Sequence, residues 1–219
     1  MLRRVRRPLV LAILASLVVT GAALAARGDP QRKIAPADEA RAKAMLVRHS
    51  DLPGSRAGAP SPDVDFYCPG LDASDLTLTG DAVGRRYAVG LMIVASTSEV
   101  YGSRADASAA WRRSTSGAGL RCARSLLRGQ LARQGARLIS LRKIPFPRLS
   151  DRTIAYRATM SATTPQGEVT AYIDLIALMR SRAHATITVG SALTTPPRSE
   201  ELHLARTVAK RMASAMRGA

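Results

Sequence analysis

Between Thr153 and Leu193 the sequence alternates apolar and polar residues with a period of two, and this stretch limits what the chain can fold into more than any other. Ile154, Tyr156, Ala158 and Met160 alternate with Thr153, Arg157, Thr159 and Ser161. Val169, Ala171, Ile173, Leu175 and Ala177 alternate with Thr170, Tyr172 and Asp174. That is the period of a strand with one face on a core. Pro165-Gln166-Gly167 turns the chain between these two strands, and Ile187 and Val189 belong to a third that ends near Leu193. Connections this short force antiparallel neighbours, so the segment predicts a β-meander. Asp174 then belongs to the polar face of the sheet. Pro196-Pro197 ends the sheet, and Ser199, Glu200 and Glu201 open a helix to about Arg217. Its stripe of Leu202, Ala205, Val208, Ala209 and Met212 should cover one face of the meander.

Upstream, Pro36 followed by Asp38 and Glu39 marks a helix start over 36–48, because a missing N–H costs nothing there and acids complement the positive helix end. Asp51-Leu52-Pro53-Gly54 stops it, and 55–62 reads as an irregular loop. Leu76-Thr77-Leu78-Thr79 and residues 86–98 predict strands, with Gly80-Asp81 as a turn or bulge. Ser103 suits the N-cap of a helix carrying Trp111 as a core anchor and ended by Gly117 and Gly119. Leu120, Ala123, Leu127 and Leu131 form one stripe, which predicts an amphipathic helix over 119–134 that is weakened or broken at Gly129. Strands and helices are segregated rather than alternating. The expected class is α+β: an antiparallel meander packed by N-terminal, central and C-terminal helices, preceded by a signal or anchor helix.

Arg3, Arg4, Arg6 and Arg7 precede an uncharged stretch from Pro8 to Ala26, the n-region and h-region of an export signal. Ala23-Leu24-Ala25 fits cleavage between Ala25 and Ala26. The same apolar run is nearly long enough to stay as an uncleaved anchor with the domain outside. The organisation is thus 1–25 signal or anchor, 26–35 linker and 36–219 a single exported domain, secreted or held at the plasma membrane. Export gives meaning to the only two cysteines: Cys68 and Cys122 are the one available intramolecular pair in an oxidising compartment. A loop of that size is worth up to about 4 kcal/mol by chain entropy.

Chemistry-bearing motifs are scarce. His49, His184 and His203 have no partners at metal-ligand spacing and read as surface or boundary residues, and no nucleophile motif is present. Asp63, Asp65, Asp72 and Asp75 lack the glycine and bidentate glutamate of a calcium loop, so no metal or other cofactor is expected. The charge says more. The formal +17 is uneven: residues 26–103 hold 9 basic and 10 acidic groups, 104–148 hold 11 and one, and 149–219 hold 9 and 5. Arg121, Arg124 and Arg128, beside the stripe of the 119–134 helix, are therefore the candidate ligand-binding residues. With 4% aromatic residues there is little for bases to stack on, which argues against nucleic acid. Anionic lipid headgroups or wall polymers are the partners at hand outside a cell.

The order of features resembles the PknH-like extracellular sensor domain of exported actinobacterial proteins. The shared points are a helix running into Asp51-Leu52-Pro53 and a strand at 96–99 entering the Trp111 helix with Cys122 nearby. Strands holding Tyr156 and Asp174, one ending near Gly190, and the final helix around residues 205–211 continue the likeness. A rival likeness is to the PsbP-like exported lipoproteins, an α/β/α sandwich. The first implies a non-catalytic module with a sheet-and-helix cleft for an external ligand, and a separate membrane signalling partner. It departs from that family in offering one disulfide where two are common. The resulting expectation is an exported sensor-like or ligand-binding domain, with a secreted hydrolase lacking a recognisable motif as the alternative. Mass spectrometry of the exported protein checks processing: cleavage gives a mass that starts at Ala26, and an anchor gives one that starts at Met1.

Overall fold

The computed structural model describes residues 30–60, 68–165 and 167–218. The Ala25–Ala26 cleavage pair, the rest of the export segment, and Asp63 and Asp65 lie outside the described residues. The elements in chain order are β1 (Gln31–Arg32), α1 (Pro36–Met45), β2 (Arg56–Pro60), β3 (Thr77–Val83), β4 (Arg85–Val89), β5 (Met92–Tyr101), α2 (Arg104–Thr115) and α3 (Gly117–Arg133). They continue with β6 (Ala136–Ile144), β7 (Arg152–Thr164), β8 (Gly167–Arg180), β9 (Ala183–Ala192) and α4 (Arg198–Ala215).

The meander expected from the alternation forms the middle of a nine-stranded sheet ordered β1-β3-β5-β9-β8-β7-β6, with β4 also on β5 and carrying β2. All pairs are antiparallel except β1 with β3. The class is α+β. Three details differ from expectation. Gln31 and Arg32, read as linker, pair with Thr77 and Leu78. Residues 56–60 of the expected loop pair with β4. Residues 136–144, for which no strand is expected, form β6 at the sheet edge, with an irregularity between Leu138 and Ser140.

Both sheet faces are covered. On one, α1 and α4 pack over Val94, Val100, Ala155, Ile176, Leu178 and Ile187. On the other, α2 and α3 lie over Ile93, Ala158, Met160, Ile173, Leu78 and Tyr101. α1 is short and polar; beyond the burial of Ala42 and Met45, specific polar and close contacts hold it. A Cβ on Gly80 would collide with the backbone of Asp38, so glycine lets the helix ride directly on β3. Ser98 Oγ donates to the Ala42 carbonyl (2.6 Å), and the Val47 amide donates to Ser96 Oγ (2.9 Å). Buried Asp38 accepts two bonds from Arg182 (2.7 and 2.8 Å) and one each from Thr79 (2.6 Å) and Arg41 (2.5 Å). The Arg182 hydrogen bonds above all hold its carboxyl well below the usual carboxylate range, against the cost of burial. Asp51 likewise takes a forked pair of bonds from Arg211 on α4 (2.6 and 2.7 Å).

The double cover corrects the reading of Asp174. It is fully buried beneath α4, not on a polar face, and accepts a forked pair from Arg157 directly opposite on β7 (2.7 and 2.5 Å). Glu201 of α4 is buried beside it. Arg198 bonds Glu201 at 3.3 Å and stacks over Phe146. Desolvation, then the hydrogen bond and charge of Asp174, push Glu201 up from 4.5 to about 8, so at neutral pH it is a protonated donor.

The folded chain therefore holds a proton on Glu201 that the unfolded chain releases. Stability from this group is complete below pH 4.5 and is lost as pH rises through about 8. Glu201→Gln keeps a neutral donor, so it should flatten the decline in melting temperature between about pH 5 and 8. Thermal melts of both proteins across that range check this, and an unchanged slope in the variant contradicts it.

Candidate functional site

The face under α2 and α3 is not completely filled. Ser103 Oγ caps α2 by accepting from the Asp106 amide (3.0 Å), and α2 ends at Ser116. Ser116 then caps α3 by accepting from the Gly119 amide (3.0 Å). Gly117 and Gly119, expected to end one helix, therefore open the next. At Gly119 a Cβ would strike the Arg113 carbonyl, so the corner is tight. α3 runs unbroken through Gly129. The Cys68–Cys122 disulfide, with Cα atoms 6.3 Å apart, ties α3 to the 3-10 turn Pro69–Leu71.

Held at this corner and tether, α3 spans the sheet without closing on it. Leu120, Ala123 and Leu127 of the expected stripe remain half-buried, while Leu131 is buried. Between helix and sheet lies a cavity of about 210 Å³. α3 roofs it with Leu120, Ala123 and Leu127, Trp111 walls it, and Tyr156 and Ile173 are among its floor residues. Trp111 is thus both a core residue and a cavity wall.

One end of the cavity is polar. Tyr101 Oη donates to Glu99 Oε2 (2.8 Å), and His184 Nδ1 stands 3.9 Å from the same oxygen. The His184 ring lies 5.0 Å from that of Tyr101 and meets Trp111 edge-on at 5.7 Å. Read from sequence as a surface or boundary residue, His184 is in fact largely enclosed. Burial lowers its pKa to about 4, with the Ala107 backbone opposing and Arg152 adding to the shift, so the ring is neutral at pH 7. Burial, with the Glu99 charge, raises Tyr101 well above the usual phenol value. Arg113, also lining the cavity, is pinned by both Asp75 oxygens (2.6 and 2.7 Å) and the Asp72 carbonyl (2.7 Å). That gives two of the four aspartates considered for calcium a structural task. Among the described residues no group of three metal-ligating side chains stands together. His49 bonds the Ser55 carbonyl (2.9 Å), and His203 is exposed.

The three arginines separate. Arg121 and Arg124 line an open depression beside the cavity, together with Arg142 and Lys143 of β6. Arg124 also donates to the Leu141 carbonyl (3.0 Å). Arg128 is exposed and lines neither space. Sequence reasoning missed Arg142 and Lys143 because it missed their strand.

No protein-family model and no curated protein matches the chain. Several solved structures are similar to it, two of them from mycobacteria. The extracellular domain of PknH from Mycobacterium tuberculosis is 9% identical, with 80% of this chain and 96% of that chain covered and a TM-score of 0.46. A putative uncharacterized protein from Mycobacterium smegmatis is 14% identical, with 83% and 98% covered and a TM-score of 0.42. Among the described residues no helix is long and apolar enough to cross a membrane.

Replacing both cysteines, Cys68→Ser with Cys122→Ser, should cost about 2 to 4 kcal/mol in urea unfolding. Amide exchange should rise first in α3, whose tether is lost. Uniform loosening of the whole chain would contradict a local role.

Proposed function

We propose that this chain is an exported, non-catalytic, sensor-like domain that binds a small apolar-bodied ligand between its sheet and the α2–α3 pair. The observation that carries this reading is the unfilled cavity. The space is about 210 Å³ and lies between the apolar flank of α3 and the sheet, where a packed core would be expected to close. Its walls are mostly apolar with a few convergent polar groups, the usual make-up of a ligand site. Export is supported by the arginine cluster before the apolar N-terminal run, and by a disulfide that suits an oxidising compartment.

A hydrolase would need a nucleophile activated by a base. His184 is the one histidine among the cavity-lining residues; its Nε2 has no hydrogen-bond partner and its Nδ1 faces Glu99 at 3.9 Å rather than a nucleophile. With its pKa near 4 it is also a weak base at neutral pH. These facts favour binding over catalysis.

A neutral apolar dye, Nile red, should bind the mature domain saturably with enhanced emission. Ala123→Phe, which fills the roof of the cavity, should abolish that signal while keeping or raising the melting temperature. Undiminished dye binding by a folded Ala123→Phe protein would refute the site.

A further inference from the structure

Resting on that reading, we infer that the ligand is a single-chain anionic amphiphile, its tail under α3 and its headgroup among Arg121, Arg124, Arg142 and Lys143. The cavity and the basic depression adjoin, with Thr115, Leu120, Leu141, Ile154 and Tyr156 in the walls of both. A molecule entering from the depression passes Leu120 and Tyr156 to reach the space beside Trp111.

Charge fixes the orientation. At the inner end the Glu99 carboxylate sits beside a neutral His184 and Tyr101, and Arg113 is already neutralised by Asp75. An anionic headgroup is disfavoured there and an alkyl tail is not. At the mouth the balance is reversed. Arg157, Arg182 and Arg211 are each held by a buried carboxylate. Among the described residues, none of the four mouth cations forms an ion pair. Arg124 spends one N–H on the Leu141 carbonyl, which positions its guanidinium without neutralising it. Unpaired guanidinium and ammonium groups of this kind recognise phosphate and carboxylate.

Size sets the tail. The 210 Å³ cavity exceeds the ~150 Å³ apolar cavity that takes up benzene, so a short alkyl chain fits, whereas a two-chain lipid would not be enclosed. Trp111, the only tryptophan, stands in the wall and reports the tail directly.

Octyl phosphate, octanol and inorganic phosphate are titrated into the mature domain at low salt while Trp111 emission is followed. Octyl phosphate should shift it saturably and bind about tenfold tighter than octanol, the scale of two or three exposed charge contacts. Added salt should narrow the gap, and inorganic phosphate should leave the emission unmoved. Arg121→Gln with Lys143→Gln should bring octyl phosphate down to the level of octanol, whereas Arg206→Gln, on an exposed α4 position, should keep the gap. Equal affinity for octyl phosphate and octanol overturns the anionic headgroup and leaves the cavity reading intact. A gap that survives the Arg121/Lys143 double variant overturns the headgroup position. If neither alkyl probe moves Trp111, the cavity reading itself is wrong.

Discussion

A sheet of nine strands offers two apolar faces, and the long central strands β8 and β9 cannot leave either in water. Buried residues occur on both sides of these strands: Ile176 and Ile187 face α4, while Ile173 and Met179 face α2 and α3. Buried polar groups on these strands are costly unless partnered inside the protein, and Arg180 Nε and His184 Nε2 are left without a hydrogen bond. Asp174 finds Arg157, and the chain leaves β8 for β9 through Arg182, which clasps Asp38. The charged residues of the interior are consequences of double burial.

The two covers solve the same problem differently. α1 and α4 are fixed by forked ion pairs and by serine hydroxyls. Removing one partner from such a buried pair costs about 3 to 5 kcal/mol, so this side is rigid. α3 is fixed by a disulfide, a serine cap and a tight corner at its start, and lies over the sheet on half-buried leucines. Its constraint is covalent and local, and packing along its length stays incomplete. That combination keeps a roof in place over a space it does not fill.

The meander and its closing helix were legible because their pattern is local: period two, short turns, then period 3.6. β6 was hidden by its own irregularity. The slip between Leu138 and Ser140 places Leu138 and Leu141 on the same face three residues apart, which breaks the alternation, and Arg137, Arg142 and Lys143 make the edge look like solvent. Asp174 alternates as a surface residue would, and only the covering helix, supplied 27 positions later by Glu201, makes it internal. His184 carries no signature either, since its neighbours Tyr101 and Trp111 come from β5 and α2. Arg121 and Arg124 were legible as a charged helical flank. The cavity they border was not, because a void belongs to the mismatch between separated elements and to no residue.

Tyr101 marks the rigid side of the cavity. Its side chain closes the polar end against Glu99 and His184, while its carbonyl accepts from Arg182 (2.8 Å), the arginine that clasps Asp38 on the far face. Moving this end of β5 would disturb a buried ion pair that the whole α1 side depends on. The floor is fixed as well, since β7, β8 and β9 pair along nearly their full lengths. α3 meets that floor largely through half-buried side chains, with Leu131 buried at its far end, and is tied by one disulfide at Cys122. A chain entering beside Trp111 therefore meets a preorganised sheet below and a compliant helix above. Under the proposed function, ligands of different length should be accommodated by displacement of α3 while the sheet keeps its register.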